Sequence, residues 1–269
     1  MGDEGQRTGP GTVAVRAWAG VVLVFLLAPV LIILVVSFSA ADYLTFPPPG
    51  LSLRWYRRFF GVPSWRQAIG VSVQVASLTM VFATGLGLLA ALALVRGRFR
   101  RKGLVYALLL SPAIVPTVIT AIALYFFFVR LKATGSILAM ALGHTVLALP
   151  VVVIIIAATL QGFDVRYEQA ALSLGASRLT ALRRITLPLI APGVLSAALF
   201  AFLTSFDELL IPLFLSGVEV QTLTVRIWNS LQLEVDPTIA AVSSFLIGVT
   251  TAVLGASAFL RRRGETAGG

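Results

Sequence analysis

The sequence predicts an all-α integral membrane protein with six transmembrane helices, and three observations carry that expectation. The chain of 269 residues is 58% hydrophobic and only 12% charged, where a soluble domain carries roughly a quarter charged residues. Six apolar runs reach the roughly 20 helical residues that a hydrocarbon core demands. Their length separates them from barrel strands, which are about ten residues long and alternate in polarity. A mean hydropathy of +0.96 agrees.

Taken in order, residues 1–16 form a short polar tail, and residues 17–38 a first span. SFSA at 37–40 has a faint look of a cleavage site. The apolar core before it is longer than the 7–15 residues of a secretory signal, so an uncleaved span is preferred. Residues 39–67 follow as an external segment with PPPG at 47–50. Within it LRWYRRFFG, 53–61, alternates aromatics with arginines and reads as a short helix lying at the interface. The unit 68–260 then holds spans at about 68–95, 104–130, 136–160, 189–215 and 238–260, and residues 261–269 make a second tail. Pro112, Pro116 and Pro150 fall inside the third and fourth spans and should kink or loosen them. Trp55, Tyr56, Trp65 and Trp228 lie near the outer boundary and read as interface anchors.

Charge sets the orientation. Fourteen of the 21 Lys and Arg fall on the segments that are cytoplasmic if the N-terminus is cytoplasmic, with RGRFRRK at 96–102 and RRR at 261–263 flanking spans directly. Both termini and the segment 161–188 are therefore expected in the cytoplasm. A sequence pI near 11.2 would suggest nucleic acid in a soluble protein; here the arginines are read as topological signals, and no nucleic-acid partner is expected. The chain has no Cys and one His, which leaves no disulfide and no metal cluster of ordinary spacing. No GxxxxGK[ST] is present, so ATP is not expected to be hydrolysed here by that route, and no cofactor is implied. An intramembrane protease is disfavoured, because acids occur within one span only and cannot form a two-helix dyad.

The segment 161–188 has a shape of its own. Ala170 and Ala171 permit close approach of another surface, and Gly175 can take positive φ between two short helices. Ser177 is placed to cap the second helix, from Arg178 to Thr186, which Pro188 should end while pushing Leu187 away from α geometry. Leu179, Leu182 and Ile185 form an apolar stripe, and Arg178, Arg183 and Arg184 suit lipid phosphates or acidic groups on a partner. From these residues alone, a solvated interfacial helix and a docking element stand equally.

The spacing decides between them. An acidic residue, two alanines, three residues, Gly, nine residues, Ile, one residue and Leu-Pro is the pattern of the EAA loop in ATP-binding-cassette importer permeases. EQAALSLGASRLTALRRITLP, 168–188, resembles it, with Ala170, Ala171, Gly175, Ile185, Leu187 and Pro188 in register. Gln169 stands where that family usually has Glu, with Glu168 directly before it. The resemblance implies a type I importer permease fold in a bacterial plasma (inner) membrane, crossed several times. It implies as partners a cytoplasmic ATPase dimer, a second permease subunit that is a different chain, an external solute-binding protein and the lipid bilayer. Glu168, Gln169, Ala170, Ala171, Gly175, Arg178, Arg183, Arg184, Ile185, Leu187 and Pro188 are then the residues that couple to the ATPase.

Two acids lie side by side inside the fifth apolar run, Asp207 and Glu208. A carboxylate facing lipid costs about 2.5–3.5 kcal/mol at a helix centre, so both should face protein, water or a ligand. Thr204, one turn earlier, is placed to bond either, and Pro212 lacks the N–H that would bond the Glu208 carbonyl, which should leave that acceptor free. A cation-handling point and a polar helix lock, with His144 or Gln74 as partner, are both open. SFDE, FLSG at 214–217 and WNSLQLEVDPTIAAVS at 228–243 resemble the spermidine/putrescine branch of the permeases, over roughly 64–260. That resemblance implies polyamine uptake, with Thr204, Asp207, Glu208 and Pro212 along the substrate path. An aminophosphonate or another small organic ion is the alternative cargo, and a channel or ion-coupled carrier the rival class.

Overall fold

A computed structural model describes residues 10–233 and 236–266. Residues 1–9 of the first tail, residues 234–235, and residues 267–269 of the second tail lie outside it. The described chain is helical, apart from one isolated antiparallel bridge between Ser39 and Leu51. Among the described residues, five helices are long and apolar enough to cross a membrane, six if one bent pair is a single span. The chain divides into two compact units, residues 1–61 with 230–245 and residues 62–229 with 246–269.

In the first unit, α1 (Pro10–Val36) starts before the expected residue 17 and presents Val15, Trp18 and Phe25 on its surface. After it, the Ala40 N–H bonds the Gly50 carbonyl at 2.9 Å and the Ser52 N–H bonds the Phe38 carbonyl at 2.7 Å, folding the PPPG segment into a closed loop. The arginine-aromatic stretch forms α2 (Arg54–Gly61), as its pattern predicts. Phe59 is fully buried against Phe245, with ring centroids 5.5 Å apart. Trp55 is also buried, under the guanidinium groups of Arg54 and Arg58, and is not an exposed interface anchor. Asp236 bridges Arg58 at 3.0 Å and accepts from the Thr238 N–H at 2.8 Å, the start of the last helix.

The second unit is built on α3 (Pro63–Arg96), α6 (Ile137–Gly162) and α9 (Leu187–Phe206). Small residues let these helices approach closely, as helices in lipid require. A Cβ on Gly87 would fall 2.5 Å from Val152 Cγ1, and one on Gly193 would collide with Thr159. Ala83, Ala91, Ala148, Val152, Ile156 and Ala197 fill the seam, all fully buried. Pro150 sits inside α6 without interrupting it.

The third expected span, 104–130, is not one straight helix. It consists of α4 (Lys102–Leu110), a 3₁₀ turn (Ser111–Ala113) and α5 (Thr117–Arg130), bent by 97°. Pro112 opens the 3₁₀ turn and Pro116 precedes α5 in an extended conformation, which an α-helix cannot absorb. The run 189–215 is interrupted too, at 207–209, between α9 and the short α10 (Leu210–Leu215). Beyond it α11 (Leu223–Leu233) is a helix that the sequence reading left as loop, and α12 (Thr238–Thr266) extends past the expected residue 260.

Candidate functional site

The segment 161–188 is structured by its own local chemistry. α7 (Arg166–Ser173) ends in a Schellman turn: the Ala176 N–H bonds the Ala171 carbonyl and the Gly175 N–H bonds the Leu172 carbonyl, each at 3.0 Å. Gly175 has φ +88°, the left-handed conformation that the turn demands. Ser177 then accepts from the Thr180 N–H at 3.2 Å and caps α8 (Arg178–Ala181).

Pro188 does not end the second helix, and Leu187 stays helical at φ −60° and ψ −44°. The chain inserts a π turn (Leu182–Thr186), in which the Leu187 N–H reaches back five residues to the Leu182 carbonyl. Widening the turn by one residue makes room for a ring that would otherwise press on the carbonyl four residues before it. The helical path therefore runs from Arg178 to Phe206. The inserted residue also rotates the expected stripe. Ala181 and Thr186 are buried, Leu182 and Ile185 half-buried, and Leu179 is 55% exposed.

Glu168 is turned inward. Its Oε1 accepts from Thr186 Oγ1 at 2.6 Å and from Arg96 Nη2 at 3.3 Å. The Arg96 guanidinium also lies over the Phe163 ring, 5.6 Å from its centroid. This brace, which the sequence reading did not foresee, joins the end of α3 to both helices of the loop. Gln169, Ala170, Gly175, Arg178, Arg183, Arg184 and Pro188 are exposed, while Ala171, Ile185 and Leu187 are half-buried. Among them Leu174 is 89% exposed and Tyr167 59%. Apolar side chains are thus bared on an arginine-studded element.

Asp207 and Glu208 do not continue the helix. α9 ends at Phe206, and Glu208 Oε1 accepts from the Leu210 N–H at 2.8 Å and the Ile211 N–H at 3.4 Å, capping α10. The Glu208 carbonyl that Pro212 cannot bond is not free, because Thr224 Oγ1 donates to it at 2.7 Å. Thr204 bonds neither acid; its hydroxyl donates to the Phe200 carbonyl at 2.9 Å. Asp207 is exposed, with Thr250 Oγ1 of α12 at 3.4 Å from Oδ2. Of the two acids, then, Glu208 is committed to structure and Asp207 is available.

Neither His144 nor Gln74 pairs with these acids. His144 is buried, with Nδ1 2.6 Å from Ser205 Oγ. The Ser205 hydroxyl donates to Thr79 Oγ1 at 3.2 Å, and Thr79 donates to the Ala141 carbonyl at 3.2 Å. The chain of hydroxyls pins α3, α6 and α9 together in the last turn of α9, just before the interruption, and Gln74 is exposed on α3. At the opposite end of this unit from Arg96, the Gly135 N–H bonds the Leu215 carbonyl at 2.7 Å, and the Leu223 N–H bonds Ser72 Oγ at 2.7 Å.

Known proteins share this architecture. Residues 83–263 match the family described as binding-protein-dependent transport system inner membrane component. The spermidine/putrescine transport system permease protein PotC of Haemophilus influenzae is 34% identical over 248 residues, 92% of this chain and 96% of that protein. The putrescine transport system permease protein PotI of Escherichia coli K12 is 33% identical over 248 residues, covering 90% and 88%. A solved bacterial ABC transporter involved in import of the acidic polysaccharide alginate matches with a TM-score of 0.77 at 14% identity. That alignment covers 95% of this chain and 98% of the other, a likeness of fold alone.

Proposed function

From a chain that belongs to the binding-protein-dependent transport system inner membrane components, and so is a multi-pass importer permease of the ATP-binding-cassette class, we propose a subunit that moves a polyamine through its helices. ATP is hydrolysed by a separate cytoplasmic ATPase pair that grips the segment 161–188. A second permease chain completes the path, and an external binding protein delivers the solute. Both termini and the segments 96–103 and 161–188 face the cytoplasm, as their arginines favour.

The observation that carries the cargo reading is the inequality of the two acids. Asp207 is exposed at a helix interruption, with a carboxylate oxygen and the Thr250 hydroxyl beside it, which suits one ammonium group of a diamine. The names of two relatives, each aligned over about nine tenths of this chain, support the same class. When ATP closes the ATPases, the loop is drawn inward and the helices open outward to receive solute. Reopening of the ATPases returns the path to the inside.

The test is uptake of labelled putrescine and spermidine by proteoliposomes holding the assembled transporter. Asp207→Asn should raise KM about tenfold, the loss of one charged hydrogen bond of about 1.5 kcal/mol, with normal assembly. Glu208→Ala should instead lower thermal stability, by the 0.5–2 kcal/mol typical of a lost cap. No polyamine uptake by the wild type would overturn the cargo, and purification without any ATPase the whole assignment.

A further inference from the structure

Beside the last two turns of α1, in the first unit, lies a groove of about 670 Å³. Leu31, Leu34 and Phe38 wall one side, Leu51 and Leu53 the other, and Arg57 of α2 is the charged residue lining it. Arg57 differs from its two neighbours. Arg54 is held by Asp42 at 2.7 Å and Arg58 by Asp236 at 3.0 Å, and both guanidinium groups lie against Trp55. Arg57 is exposed and has no carboxylate partner among the described residues.

The surroundings dictate what fits. α1 is an apolar span, so a groove along its final turns opens to hydrocarbon at one membrane boundary. Water in the groove would leave leucine walls wet. A zwitterionic lipid brings no net charge to the unpaired guanidinium. An acyl chain under an anionic phosphodiester satisfies both, since arginine binds phosphate through a planar fork of donors. We propose that this groove is a binding site for one acidic phospholipid, its chain lying along Leu31, Leu34 and Phe38 and its phosphate on Arg57.

Native mass spectrometry of the assembled transporter, titrated with phosphatidylglycerol and phosphatidylethanolamine of matched chains, reads the site. The wild type should retain phosphatidylglycerol in preference. Arg57→Gln should weaken that retention about fivefold, the contribution of one basic residue at an anionic surface, and weaken phosphatidylethanolamine less, because its ammonium already offsets the same phosphate. Arg57→Lys, which keeps the charge, should restore most of it. A photo-crosslinking residue at Leu34 should add the mass of one phospholipid. Undiminished phosphatidylglycerol retention by Arg57→Gln would overturn the proposal. So would capture of another subunit from Leu34, which would make the groove a protein contact.

Discussion

Replacing Gly175 probes the proposed docking loop at its left-handed turn. Its φ is +88°, and a Cβ built there meets nothing within 4 Å, so the cost of a side chain comes from the backbone alone. An L-residue in the left-handed region costs about 1–2 kcal/mol, and Asn is tolerated better because its short side chain bonds locally. A β-branched residue is a stronger outlier. A turn that escapes to negative φ gives up both 3.0 Å bonds that end α7, each worth about 0.5–1.5 kcal/mol net. Either way, 1–2 kcal/mol shifts the ratio of native to altered turn by a factor of about 5–30. Coupled transport should therefore decline in the order Gly, Asn, Ala, Val, with Gly175→Val the lowest. Proteoliposomes carrying the transporter, its ATPase and the binding protein allow uptake and ATP hydrolysis to be measured on one preparation. Wild-type uptake by Gly175→Val, or Asn failing as badly as Val, would refute the reasoning.

Two further outcomes concern packing. Removing the brace with Arg96→Ala should speed amide hydrogen exchange across 166–173 about fivefold, the loss of roughly 1 kcal/mol for a charged bond that is long and half-exposed; the exchanged pair Arg96→Glu with Glu168→Arg should recover much of the protection. Gly193→Ala should lower thermal stability by about 1–3 kcal/mol through overpacking, and adding Thr159→Ala should recover only part of it, because the Oγ1 and Cγ2 that the new methyl strikes are gone while the Cβ of residue 159 still lies 2.9 Å away.

What the sequence disclosed follows the range of the forces involved. The turn at Gly175 and the cap at Ser177 depend on residues three to five apart, so composition and spacing were enough to place them. Apolar runs likewise announced the spans. The interruption at 207–209 was hidden, because hydropathy measures burial and cannot register that a carboxylate will close a helix end where Leu210 and Ile211 need an acceptor. Thr224, sixteen residues from Glu208, supplies the bond that Pro212 forgoes, and nothing local marks that pair. Pro188 misled for a different reason. A proline forbids one hydrogen bond without forbidding a helix, and a wider turn satisfied it. Prolines 112 and 116 marked where the third run yields, but not the 97° through which it turns.

The uninterrupted path from Arg178 to Phe206 has a mechanical consequence. Some twenty residues separate the π turn from Phe206, about 30 Å of stiff helix. A tilt of about 5° at the π turn would swing the far end by roughly 2.5 Å over that length. Small strokes at the membrane face thus arrive magnified beside Asp207. In the proposed cycle the position of the fulcrum sets the amplitude, and shortening or softening the arm between the two should blunt the stroke while leaving both ends intact.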